Sequence, residues 1–217
     1  MNMKGYLYLC LCFCSVCFYG CIQSDIANEQ KKTSQKDKYI ADNLLQNIIK
    51  ANKEWFESWD WIISDLSSID FHQDWRKEMK LYWVEYDPEG YFSDSLLIEF
   101  GDKAIDMYSY SMVLNQENGN VSVEFDVDSK IYLLDKTNHL LAELVVTGSY
   151  EIIEDALWLD SSTVCLLGYI NETEMYPFIW FFEIDKELQI FYKFQEKGFK
   201  GDRQEYFIVK YPNVVIR

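Results

Sequence analysis

Four regimes of hydrophobic patterning follow one another along the chain. Residues 6–19, YLYLCLCFCSVCFY, are apolar apart from Ser15. Residues 22–38, IQSDIANEQKKTSQKDK, are polar and lack aromatics, so they bury too little apolar area to offset the entropy of ordering. From Tyr39 the apolar positions recur with helical period. Ile40, Leu44, Ile48, Ala51, Trp55, Trp59, Ile62 and Leu66 share one face, widened by Leu45, Ile49, Phe56 and Ile63. Lys50, Lys53, Glu54, Glu57 and Asp60 lie opposite. Ser34 followed by Asp37 is a weak capping signal at its start. Trp61 falls on the charged side and is a candidate exposed contact.

Beyond Leu66 the period changes to two. Residues 67–78 read as a loop. Strands are predicted at 79–86, 95–100, 104–114, 121–127, 130–135, 140–147, 150–159, 163–170, 176–185, 188–194 and 205–211. Asp87-Pro88-Glu89-Gly90 reads as a tight turn, and Asn118-Gly119 is a hairpin signal. Short links without helical crossovers predict antiparallel pairing. The expected fold is mostly β, α+β by content: an antiparallel β-sandwich or partly open barrel of about ten strands, with one N-terminal amphipathic helix packed on it. The segment from Ala156 to Tyr192 looks like one four-stranded propeller blade. It occurs once, so it reads as a meander.

The first segment gives an address. Lys4 precedes an apolar run of signal-peptide length, shorter than the roughly 20 residues a spanning helix needs. Phe18-Tyr19-Gly20-Cys21 resembles the lipobox of bacterial lipoproteins, in which a small residue precedes the cysteine that becomes the new N-terminus. Gly20 and Cys21 match that pattern, while Phe18 and Tyr19 depart from its commonest form. The resemblance implies cleavage before Cys21, a diacylglycerol thioether and an acylated amine there, and stable anchoring by more than one chain. The bare alternative is an ordinary secretory signal. The expected organisation is a signal peptide over 1–20, a lipidated Cys21 with a tether to 38, and one domain over 39–217. In lipoproteins of this type Asp after the cysteine often retains the protein at the inner membrane. Ile22 stands there, which favours the outer membrane; a dense acidic patch after the cysteine marks surface export in some lineages, and only Asp25 is present, which favours the periplasmic face with surface exposure as the alternative.

Cysteine usage agrees. Cys10, Cys12, Cys14 and Cys17 lie in the segment expected to be removed, and Cys21 is expected to be lipidated. Cys165 is left alone, without an intramolecular disulfide partner and expected to be buried.

Candidate chemistry is sparse. His72 and His139 are the two histidines, no His-x-x-x-His or Cys-x-x-Cys pair remains in the expected mature chain, and a nucleophile elbow and a phosphate-binding glycine loop are missing from the sequence. No cofactor is expected. Glu124, Asp126 and Asp128 at i, i+2, i+4 would share one face of a continuing strand and could face a hard cation. Polar outward positions on a strand are the plainer reading. Glu85, Asp87 and Glu89 surround a turn and offer a carboxylate pair for a hydrolase. Lys197-Gly-Phe-Lys-Gly-Asp-Arg203 is a basic, glycine-rich stretch, making Lys197, Phe199 and Lys200 candidate binding residues. Tyr108 and Tyr110 share a predicted strand face, as core or as a sugar-stacking platform.

Charge narrows the partners. A net charge of −16 excludes a nucleic-acid ligand, which needs a basic face. It suits steering toward a basic protein. Aromatics make up 17% of the chain, more than a small core obviously needs. Small acidic lipidated β-rich proteins of this kind are similar to immunity proteins against envelope-acting toxins and to periplasmic enzyme inhibitors. The expectation is a non-catalytic protein-binding module that neutralises a basic partner. The alternative is a carbohydrate-binding surface lipoprotein.

Overall fold

The computed structural model describes residues 44–59, 71–87, 96–110, 112–117, 120–125, 128–194, 199, 206, 210 and 215–216, with the backbone alone for 72, 112–117, 120–125 and 215–216. The lipobox, the tether, Trp61, Asp126, Lys197 and Lys200 lie outside the described residues. The chain divides into two units, 1–52 and 53–217. In the first, residues 44–51 are helical (α1), with Ile48 and Ile49 buried and the Asn52 N–H donating to Ile48 O at 2.9 Å. Asn52 stands in a turn, so the predicted single helix is interrupted there. The second unit begins with α2, Lys53–Glu57, whose Trp55 and Phe56 are buried.

Among the described residues thirteen strands follow: β1 Phe71–Glu78, β2 Trp83–Glu85, β3 Ile98–Phe100, β4 Lys103–Asp106, β5 Met112–Glu117, β6 Asn120–Phe125, β7 Ser129–Asp135, β8 Leu140–Thr147, β9 Glu151–Trp158, β10 Thr163–Asn171, β11 Met175–Glu183, β12 Leu188–Phe194 and β13 Val215–Ile216. They form a first sheet in the order β1-β12-β11-β10-β9, a second in the order β2-β8-β7-β4-β3 and a small third, β13-β6-β5. Both five-stranded sheets are antiparallel and neither closes on itself. They face each other as a β-sandwich. Strands β9 to β12 are the predicted meander.

One core lies between the two large sheets. Val164, Leu166, Phe178, Trp180, Phe182 and Phe191 project from the first sheet to meet Ile105, Ile131, Leu133 and Val145 of the second. Many of the aromatics are used here. Trp75 stacks on Phe191 with centroids 5.2 Å apart and planes 7° apart, and meets Trp180 edge-on at 5.4 Å. Burying each such side chain stabilises the fold by about 1.5–3 kcal/mol.

The first sheet is covered on its other face as well. Cys165, Leu167 and Ile179 alternate with the core-facing residues yet are equally buried. Trp59 packs against Tyr169 at 5.5 Å on that side. A sheet buried on both faces needs no polar alternation, which is why β10 and β11 read as TVCLLGYIN and MYPFIWFFE.

Several expectations are corrected. Residues 71–78 are a strand rather than a loop. The segment FHQDWRKE looks polar because β1 is an edge strand, anchored by Phe71 opposite Phe194 and Trp75 opposite Phe191, with a bulge between Gln73 and Trp75. The apolar run 79–86 is strand over 83–85, because here the chain changes sheet. Met79 N–H donates to Glu187 O, in the turn just before β12 of the first sheet, at 2.8 Å, whereas Trp83 pairs with Ala142 of the second. The predicted strand 104–114 is two strands. Between them, Asp106 Oδ1 accepts from the N–H groups of Tyr108 at 3.0 Å and Ser109 at 2.9 Å and holds a turn. In the predicted strand 205–211, Tyr206 and Lys210 are helical. The late strand is β13, which pairs with β6 in parallel, an exception to the expected antiparallel pairing.

Candidate functional site

The second sheet's outer face is open to solvent only in part: Ala104, Asp106 and Leu134, which register places on that face, are buried, whereas its β2 edge and the far end of β8 are exposed. Its centre is set by register: Lys130 pairs with Val146 and Tyr132 with Glu143 across β7 and β8, while Val84 of β2 pairs with Leu141. Successive side chains alternate, so Val84 and the preceding Tyr82 stand on the outer face, whereas Leu81 turns toward the core. Tyr82 is 72% exposed, Trp83 40% and Val84 54%. Val146 and Tyr110 are exposed in a separate group around Lys130, toward the other end of β8. Lys130 binds this group together: its Nζ lies 4.6 Å from the Tyr110 ring centroid and 3.6 Å from Glu143 Oε2. Partial burial raises the Tyr132 hydroxyl pKa despite the lowering effect of Lys130 beside it. The result is two groups of exposed aromatic and aliphatic side chains, one at the β2 edge and one around the Lys130–Glu143 pair.

The opposite side of the molecule carries a buried polar group with a different role. A bulge in β9 places two residues against one: Leu167 pairs with Asp155, but Gly168 pairs with Ile153. Glu154 is the extra residue. The bulge turns both carboxylates away from the inter-sheet core. Glu154 Oε2 accepts from Trp55 Nε1 at 2.8 Å. Asp155 Oδ1 accepts from Lys210 Nζ at 2.6 Å and from Ala156 N–H at 2.9 Å. Tyr206 is buried here. Burial and then the neighbouring Asp155 push its hydroxyl pKa well up. Cys165 lies in the same layer, and burial followed by the Asp155 charge raises its thiol far above the usual range. A thiol held protonated in a dry layer is not a nucleophile. These groups clamp the C-terminal segment to the sheet.

The sequence-derived candidates scatter. Glu124 lies in β6, which ends at Phe125, and exposed Asp128 stands in a bend before β7 of another sheet, so one strand does not carry all three acids. Phe199 is half buried. It exchanges backbone hydrogen bonds with Met175 at 2.9 and 3.0 Å, and its ring lies 5.2 Å from Trp59. It ties its segment to β11. Tyr108 is buried and Tyr110 exposed, so the pair divides between core and surface. Glu85 and Asp87 are both exposed, and Glu89 lies outside the described residues. Among the described residues no three His, Cys, Asp or Glu side chains gather as a metal site, and no helix is long and apolar enough to cross a membrane. Sequence reasoning missed Tyr82, Val84, Lys130 and Val146. Apolar residues on a strand look alike whether they face core or solvent. No family model, curated protein or solved structure matches the chain.

Proposed function

We propose that this chain is an envelope lipoprotein, anchored through Cys21, that binds and neutralises another protein without catalysis, in the manner of an immunity protein or inhibitor. One observation carries the reading: Tyr82, Trp83 and Val84 are three consecutive large apolar residues standing in solvent on a strongly acidic chain. Contiguous exposed apolar surface of this kind marks interaction sites. The net charge of −16 steers a basic partner toward it and repels acidic ones. The anchor rests on Gly20-Cys21 at the end of the apolar run. Carbohydrate stacking has less support, because the exposed aromatics do not form one row: Tyr82 and Trp83 belong to one edge of the second sheet and Phe100 to the other.

The test is capture from envelopes of the native cell and of its competitors, using the full chain immobilised in detergent. Retention of a basic protein at low salt, its release at high salt, and its loss with Tyr82→Ser and Val84→Lys are expected. Retention of glycans instead, with no protein, would overturn the reading. Incorporation of an alkyne-labelled fatty acid, abolished by Cys21→Ser, tests the anchor separately.

A further inference from the structure

The backbone of β2 goes beyond its side chains. In an antiparallel pair the main-chain groups of alternate residues point to the partner strand and away from it. Tyr86 N–H donates to His139 O at 3.0 Å, continuing the ladder in which Val84 faces Leu141. Val84 and Tyr86 therefore aim their main-chain groups at β8. Trp83 and Glu85 aim theirs outward, and β2 is the terminal strand of its sheet.

The other three edges of the two large sheets are guarded. β1 is broken by its bulge and lined by exposed Arg76, Lys77 and Glu78. Such charge and irregularity block strand addition. β9 and β3 close against each other, with Trp158 Nε1 donating to Ile98 O at 2.9 Å and the Phe100 and Trp158 rings 5.8 Å apart. Among the described residues β2 has no bulge and no strand packed over it, and its exposed charge, Glu85, is of one sign. It presents Tyr82, Trp83 and Val84 in sequence.

We propose that β2 is a β-augmentation site that receives an extended lysine- or arginine-bearing segment of the partner protein, paired to the outward N–H and C=O groups of Trp83 and Glu85. This rests on the protein-binding reading above and names how that binding occurs. Strand addition gives affinity through main-chain hydrogen bonds and specificity through alternate side chains. Here the alternation offers exposed apolar contacts from Tyr82 and Val84 on one face and carboxylates from Glu85 and Asp87 beyond Trp83 on the other. Glu143 lies on adjacent β8, its charge shared with Lys130, and Lys80 is the nearby free-standing cation in sequence. A second copy of this chain is the wrong occupant: it brings −16 against −16, and sets Glu85 and Asp87 against like charges.

The probe is a short peptide alternating lysine and valine, added to the full chain in detergent. Binding is read by amide hydrogen exchange and by tryptophan fluorescence. At saturation, exchange at Trp83 and Glu85 is expected to slow about tenfold or more, with no new protection along β1. Glu85→Pro removes an outward N–H and leaves the bonds of Val84 and Tyr86 to β8 intact. It is expected to keep the melting temperature and weaken binding about tenfold, roughly the effect of one backbone hydrogen bond. Tyr82→Ser, a surface change, is the second variant and weakens binding while leaving the fold untouched. No binding up to millimolar peptide, protection elsewhere than β2, or equal binding by Glu85→Pro would each overturn strand addition. A natural partner captured equally by wild type and Glu85→Pro would remove the edge mechanism and leave the protein-binding reading standing.

Discussion

Lys210→Met should destabilise this protein more than its surface-like position suggests. The ammonium lies 2.6 Å from Asp155 Oδ1, and the Asp155 side chain is 5% exposed against 27% for Lys210. Deleting the cation strands a carboxylate in the layer that also buries Cys165 and Tyr206. The Ala156 N–H and the Tyr206 hydroxyl remain as donors, but among the described residues no positive charge is paired with it. Breaking a buried pair from one side costs about 3–5 kcal/mol. The lower end, about 3 kcal/mol, applies here because water reaches the Lys210 end of the pair. Replacing both partners tests the cause. Asp155→Leu with Lys210→Met removes the stranded charge and should return to within about 1 kcal/mol of wild type. Urea denaturation followed by tryptophan fluorescence reads both, since Trp55 and Trp59 sit in the same layer. A Lys210→Met protein within about 0.5 kcal/mol of wild type would refute the reasoning, as would a double variant no better than the single one.

Three further outcomes follow from other parts of the fold. At Gly168 an added Cβ would sit 2.2 Å from Ile152 O and 2.7 Å from Phe178 Cζ, so Gly168→Ala should cost about 1–3 kcal/mol by thermal melting, whereas at Gly148 the nearest atom is 3.6 Å away and Gly148→Ala should be nearly neutral. Cys165 is fully buried with a raised pKa, so a thiol reagent should fail to modify it in the native protein and label it fully in urea. The Tyr206 hydroxyl is raised from 10.0, so the unfolded chain releases its proton first; stability should be constant in this group below pH 10.0 and fall as pH rises further, and Tyr206→Phe should flatten that alkaline slope in denaturation midpoints.

Much of the sandwich was legible because its strands alternate or run apolar between clear turns. Leu140–Thr147 and Leu188–Phe194 occupy the predicted limits. Where reading failed, tertiary context had replaced the local signal. β1 is polar because an edge strand needs only two anchors, and Phe71 and Trp75 are easily taken for loop residues. Asp106 ends a strand through its side chain, which no periodicity reports. The β9 bulge rotates Glu154 and Asp155 toward a helical layer, so two acids in an apolar strand make sense only once Trp55 and Lys210 are in place. The candidate surface was hidden for the opposite reason. Tyr82-Trp83-Val84 and Ile179-Trp180-Phe181 each combine a Trp, a second aromatic and a β-branched aliphatic residue, and the sheet order separates an open margin from a sealed interior.

The placement of β1 also dictates a sequence of assembly. Strands β9 to β12 are joined by short turns and can zip from neighbours, a low-cost closure. β1 pairs with β12, so Phe71 has to wait for Phe194 at the far end of the sandwich. Loop closure over that span is slow. During synthesis Trp75 therefore remains without its partners Phe191 and Trp180 until nearly all strands have emerged. Completion of the first sheet is a late, all-or-none event. A chain cut before β12 would retain the second sheet's strands but lose the seam that joins its beginning to the meander.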